Sequence, residues 1–117
     1  DRRIIASGGG DKTVKLWDIN TGSEIRTLKA HKKSVNSVVI SPNGKFIASA
    51  SADKTVIIWD LNTGKILTSF NTNAKVNSVD FSPNGKFIES VWVYFFIKLW
   101  EVFTVKEILT LNSEFWV

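Results

Sequence analysis

Apolar and polar positions alternate along this chain in short bursts separated by turn residues. Val35 to Ile40 is rich in β-branched residues and reads as a strand. Ser41-Pro42-Asn43-Gly44 follows. Proline presets φ for a type I turn, and glycine tolerates the left-handed conformation that closes it. Phe46 to Ser51 reads as the second strand, and its small residues Ala48, Ser49 and Ala50 let neighbouring strands approach closely. Ala52-Asp53-Lys54 is a polar turn, and Thr55 to Trp59 is the third strand. Asn62-Thr63-Gly64 is another turn, and Lys65 to Phe70 is the fourth strand. β-Branched runs and turn signals arrive about every eight to twelve residues, which disfavours helix.

The pattern repeats. Trp17 and Trp59 lie 42 residues apart, and Trp59 and Trp100 lie 41 apart. Asp11-Lys12-Thr13-Val14 recurs as Asp53-Lys54-Thr55-Val56. Ser41-Pro42-Asn43-Gly44-Lys45-Phe46-Ile47 recurs as Ser82-Pro83-Asn84-Gly85-Lys86-Phe87-Ile88. One residue is lost in the loop before Val76. Each unit closes on Trp17-Asp18, Trp59-Asp60 or, altered, Trp100-Glu101. With this period and these dipeptides the chain resembles the WD40 repeat family over nearly its whole length.

The resemblance implies an all-β fold of WD40-type β-propeller blades. Each blade has four antiparallel strands, a to d from the centre outward. It implies about three blades, as an open arc or part of a larger ring. Residues 1–30 are then a partial repeat of strands b, c and d, and residues 31–72 a complete repeat. Residues 73–111 are a divergent repeat, and 112–117 start a further one. Propellers of this family usually close with more blades. The sequence is therefore expected to be a segment of a longer chain, with assembly of copies into a ring as the alternative.

Composition narrows the possibilities. With 44% hydrophobic residues the 117-residue chain is not disordered by composition. Its longest uninterrupted apolar run, Val91 to Ile97, falls far short of the roughly 20 residues of a spanning helix. No charged-then-apolar leader is visible, so a cytoplasmic location is expected. Cysteine is absent, which excludes disulfides and thiolate chemistry, and a lone histidine leaves no transition-metal site. No cofactor or metal is expected. The net charge of +4 is spread along the chain, with no basic cluster longer than Lys32-Lys33, so nucleic-acid binding is a weaker reading.

His31, Ser49 and Asp53 have the composition of a hydrolytic triad. The resemblance implies a different role: with Trp59 they match the positions of a buried structural hydrogen-bond network, in which each polar group partners another. Ser51 is a possible substitute for Ser49. The first unit keeps Ser7, Asp11 and Trp17, but its histidine would lie before residue 1. The third keeps Ser90 and Trp100, with Tyr94 in place of the aspartate and Asn73 nearest the histidine position. Gly8-Gly9-Gly10-Asp11-Lys12-Thr13 lacks the Gly-Lys-Ser/Thr ending and following helix of a phosphate loop. No catalytic residue is assigned, and the chain is expected not to be an enzyme.

Attention then goes to surfaces. In a propeller the d–a loops and b–c turns share one face, which here would carry Lys12, Lys32, Lys33, Lys54 and Lys75. These either keep loops soluble or form a basic rim that speeds encounter with an acidic partner. The third unit replaces Ala50-Ser51-Ala52-Asp53-Lys54-Thr55 by Val91-Trp92-Val93-Tyr94-Phe95-Phe96, and Phe115-Trp116 occupies the next d–a loop. Tyr94, Phe95, Phe115 and Trp116 are candidate protein-binding residues. Cover by a further blade, or decay or a reading-frame error in the sequence, are the other readings of this stretch. The expected function is a protein–protein interaction scaffold that binds partner proteins or peptides. The alternative is the regulatory propeller of a larger multidomain enzyme, such as a kinase or ATPase.

Overall fold

Because each apolar burst ends in a tight turn, the chain folds back on itself strand after strand. The computed structural model describes residues 3–72, 74–92, 96–101 and 106–112. The first sheet consists of β1 (Ile4–Gly8), β2 (Thr13–Asp18) and β3 (Glu24–Lys29). The second consists of β4 (Val35–Ile40), β5 (Phe46–Ser51), β6 (Thr55–Asp60) and β7 (Ile66–Asn71). The third consists of β8 (Val76–Phe81), β9 (Phe87–Trp92), β10 (Phe96–Glu101) and β11 (Lys106–Asn112). Within each sheet the strands lie side by side in chain order, every pair antiparallel. The architecture is all-β, a partial propeller of meander blades, with no helix among the described residues. No helix among them is long and apolar enough to cross a membrane.

The turns show why the repeated motif is repeated. Gly44 N–H donates to Ser41 O at 2.9 Å, and Gly44 holds φ at +73°, where a side chain would be strained. The Ser41 hydroxyl donates to Asn43 Oδ1 at 2.6 Å and accepts Phe46 N–H at 3.0 Å. Ser82, Asn84, Gly85 and Phe87 repeat the same bonds in the third sheet. In the second sheet the outer strand begins at Ile66 rather than Lys65. The Lys65 carbonyl accepts Asp60 N–H at 2.8 Å and so belongs to the turn.

Packing between sheets makes the core. One cluster joins Val14, Leu16 and Leu28 of the first sheet to Val35, Ile47, Ile57 and Trp59 of the second, with Leu61 just beyond β6. The other joins Ala48, Ala50, Val56, Ile58 and Phe70 of the second sheet to Val76, Val79, Phe81 and Ile88 of the third. Alternate residues of β5 and β6 thus enter opposite clusters. This explains why Val56 to Trp59 is apolar without alternation: both faces of the middle sheet are covered. Sheets approach so closely that a Cβ on Gly8 would fall 2.4 Å from Val35 Cγ1. Ala50 occupies the equivalent place in the second sheet.

Alternate turns of a meander fall at one end. The β1–β2 and β5–β6 turns and the β3–β4 and β7–β8 connections share an end, and backbone bonds stitch them. Val35 N–H donates to Gly9 O at 3.0 Å, and Thr72 N–H donates to Lys54 O at 2.9 Å. At the opposite end, Arg26 of the first sheet donates to Asn62 O and Thr63 O of the second, each at 3.0 Å.

Candidate functional site

The stitched end holds a chain of side-chain hydrogen bonds. Trp59 on β6 donates its indole N–H to Ser49 Oγ on β5 at 2.8 Å. Ser49 Oγ lies 2.7 Å from His31 Nε2, and His31 Nδ1 lies 3.0 Å from Asp53 Oδ2. The Asp53 carboxylate can only accept, so Nδ1–H donates to it; in that tautomer Nε2 is an acceptor and takes the Ser49 proton, while the serine oxygen accepts the indole N–H. The His31 ring meets Trp59 edge-on, with centroids 6.4 Å apart. Asp53 also accepts Lys32 N–H at 2.9 Å, Thr55 N–H at 3.0 Å and the Thr55 hydroxyl. Burial pushes the Asp53 carboxyl up, but the Thr55 hydroxyl, the Lys32 amide and His31 together hold it below its ordinary value.

These contacts have the connectivity of a serine hydrolase triad, yet Ser49 is 0% exposed. Its oxygen is committed to the indole, and no substrate carbonyl can reach it. Attack would also need donors aimed at a developing oxyanion. The arrangement can fix the β3–β4 connection to β5 and β6, and it has no route to turnover.

In the first sheet Trp17 donates to Ser7 Oγ at 2.9 Å, and the pair is exposed. Asp11 accepts the Thr13 amide at 3.1 Å and the Thr13 hydroxyl at 2.9 Å, and these two bonds hold its carboxyl below the usual range. Lys15 lies 3.8 Å from Asp11 and 3.6 Å from Glu24.

Three contributors were not legible as such. Ser51 does not stand in for Ser49. Its hydroxyl lies 2.9 Å from Ser34 O and 3.2 Å from Lys33 O, and it accepts Asp53 N–H at 3.0 Å, so it braces the turn that aims the carboxylate. Thr72 is fully buried, and its hydroxyl reaches Lys54 O and Ala74 O, each at 2.8 Å. Arg26 makes its bonds across sheets, to residues 36 and 37 positions away. A Ser-x-Asp pair and a threonine before a loop are too common to mark these roles.

Lys12, Lys32, Lys33, Lys54 and Lys75 are all exposed at the stitched end. Among the described residues none of the five forms an ion pair. The Asp53 carboxylate of the same end is taken up by the hydrogen bonds above, and Asp11 is bonded to Thr13 through Oδ1 and faces Lys15 through Oδ2. Lys12 and Lys54 sit at φ +71° and +72°, a left-handed conformation that costs a side-chain-bearing residue roughly 1–2 kcal/mol. Tyr94, Phe95, Phe115 and Trp116 lie outside the described residues. Among the described residues no cluster of His, Asp or Glu could hold a metal ion.

The family model described as WD domain, G-beta repeat, matches residues 1–18, 22–60 and 64–88, more than half of the chain. Nuclear distribution protein PAC1 of Coprinopsis cinerea is 51% identical over 42 residues, 36% of this chain and 10% of that protein. Lissencephaly-1 homolog of Branchiostoma floridae is 50% identical over 42 residues, 36% of this chain and 10% of that one. F-box-like/WD repeat-containing protein TBL1X of Mus musculus is 46% identical over 43 residues, 37% of this chain and 8% of that one. Each aligned stretch has the length of one repeat, and the chain spans about a tenth of these curated relatives.

Proposed function

Because the chain belongs to the WD40 repeat family, we propose that it is a propeller segment serving as a protein-interaction scaffold, with its lysine-lined end receiving an acidic protein segment. One observation carries this reading: five exposed lysines gather at one end without ionic partners among the described residues, while the two carboxylates beside them are already bonded. Two of the lysines hold left-handed backbone that glycine would hold at less cost, and strained residues of this kind concentrate where function requires them. The meander beneath fixes where the lysine stems begin, while each exposed ammonium group that a bound peptide orders costs about 0.5–1.5 kcal/mol of side-chain freedom. The relatives' names place the same repeat in proteins of differing roles, which suits a module that presents surfaces.

A fluorescence-anisotropy titration tests the reading. A labelled peptide rich in Glu and Asp should bind this chain, and a neutral peptide of equal length should not. Affinity should fall steeply as salt rises through roughly 0.1 M, where charges more than about 10 Å apart become screened. Reversing Lys12→Glu and Lys54→Glu together should weaken binding at least about tenfold. Equal binding of both peptides, or indifference to the double reversal, would overturn the proposal.

A further inference from the structure

Of the asparagines in this chain, only Asn43 and Asn84 precede glycine. That pairing is chemically labile, because a glycine amide nitrogen has no side chain beside it to hinder attack on the asparagine carboxamide. Both pairs sit in the same stretch, Ser-Pro-Asn-Gly-Lys-Phe-Ile, at Ser41 to Ile47 and Ser82 to Ile88, so their intrinsic chemistry is equal. Asn43 and Asn84 are exposed, and water reaches them. The fold nevertheless ties up both reacting groups. Gly44 N–H donates to Ser41 O at 2.9 Å, and Gly85 N–H donates to Ser82 O at 2.9 Å. Asn43 Oδ1 accepts the Ser41 hydroxyl at 2.6 Å and Lys45 N–H at 3.0 Å. Asn84 Oδ1 accepts the Ser82 hydroxyl at 2.6 Å and Lys86 N–H at 3.0 Å. Each serine hydroxyl is itself fixed, by Phe46 N–H at 3.0 Å or Phe87 N–H at 3.1 Å.

We infer that Asn43 and Asn84 are sites of spontaneous deamidation, and that the serine two residues earlier holds each of them dormant in the folded chain. The reaction begins when the glycine amide nitrogen loses its proton and attacks the asparagine Cγ. A nitrogen–carbon bond forms, the Cγ–Nδ2 bond breaks, and Nδ2 takes up the proton and leaves as ammonia. Water then opens the resulting succinimide at either carbonyl, which gives aspartate or isoaspartate. Taking the Gly44 proton means breaking its bond to Ser41 O, and turning the carboxamide means breaking the two bonds to Oδ1. Both need the turn to open, so the rate follows the population of the open turn. The product keeps it open. Isoaspartate carries the main chain through one more carbon, which throws Gly44 N–H and Phe46 O out of register with Ser41 O and Ser41 N–H. Each event also adds a carboxylate to a chain whose net charge is +4. This chemistry is independent of the lysine-lined end.

The two sites control for each other. The chain is aged at one mildly alkaline pH, in buffer and in guanidinium chloride, and the tryptic peptides ending at Lys45 and Lys86 are followed by mass spectrometry. In denaturant both sites should deamidate at equal rates. In buffer, with the sheet signal present in circular dichroism, each should be at least about tenfold slower. Ser41→Ala keeps the main-chain carbonyl but removes the hydroxyl from Asn43 Oδ1 and from Phe46 N–H. In buffer it should speed Asn43 at least about threefold and leave Asn84 at the parental rate, and Ser82→Ala should do the reverse. Rates in buffer that match those in denaturant would overturn the proposal. So would serine variants that leave both sites slow, or that speed both alike with the circular dichroism unchanged. If Ser41→Ala unfolds, Ser82→Ala and the comparison on the parent chain still decide.

Discussion

Ser7–Trp17 and Ser49–Trp59 are the same two residues ten positions apart, on equivalent strands, with indole bonds of 2.9 and 2.8 Å. Among the described residues the first pair is the more open, with Ser7 exposed and Trp17 half-buried. The second is buried and runs on through His31 to Asp53. Local sequence therefore reproduces the bond but not its energetic weight. The weight comes from the connection that brings His31 over β5 and from the first sheet, whose Val14, Leu16 and Leu28 seal Trp59 in. A hydrogen bond that competes with water contributes little net, whereas breaking one in a sealed site leaves an orphan whose desolvation is not repaid.

The sharpest way to break the comparison is to remove the shared serine. Ser49→Ala orphans both the Trp59 indole and His31 Nε2 and should cost about 3 kcal/mol or more, while Ser7→Ala should cost no more than about 1 kcal/mol. Denaturant midpoints of the two variants would decide it, and equal losses would mean that burial does not separate the pairs. Removing the imidazole comes next. His31→Ala should destabilise by about 1–3 kcal/mol, chiefly because the buried Ser49 hydroxyl loses its acceptor, while Asp53 keeps Lys32 and Thr55 as donors. A serine-directed fluorophosphonate should label neither the parent nor this variant, and labelling of Ser49 would contradict the sealed geometry.

A smaller effect concerns acid. The Asp53 carboxyl lies below its ordinary value in the folded chain, so the stability it contributes is present above about pH 4 and disappears as pH falls through the folded pKa. Asp11 is shifted in the same direction, but in open solvent, where its bonds are weakened by water. Asp53→Asn should therefore flatten the acid limb of stability more than Asp11→Asn does, measured from about pH 5 downward. The least effect should come where the two sheets are alike. Lys12→Gly and Lys54→Gly each relieve a left-handed residue and should stabilise by up to about 1 kcal/mol, to similar extents. A clear difference between them would show that Lys54, whose carbonyl receives Thr72, is held by more than its own dihedral.

Much of the fold was legible because its signals are local. The Ser-Pro-Asn-Gly turns, the Asp-Lys-Thr turns and the β-branched runs specify hairpins within a few residues, and the period extends them along the chain. In the site, Trp59, Ser49, Asp53 and His31 could be named because family resemblance supplied the long-range pairing. Ser49 and Ser51 share a face of β5, so sequence could not say which meets the indole. Register against β6 decides it, with Ile47 opposite Trp59 and Ser49 opposite Ile57, so that Ser49 is the nearer neighbour on the indole's face. Arg26 was invisible for the same reason, since its target is a turn on another sheet.

The meander has a kinetic corollary. Every strand in the described sheets pairs with its immediate neighbour in the chain, so closing a hairpin fixes only a short loop, at small entropic cost and on a microsecond scale. Joining the sheets is different. Asn36 Nδ2 must find Val76 O across 40 residues, and Arg26 must find Asn62 O across 36. Separations of that size slow folding, because chain entropy is lost before the contacts compensate. Hairpins should therefore form early and docking of sheet on sheet should be the slow step, so changes at Arg26 or Gly8 should alter the observed folding rate more than changes within any single turn.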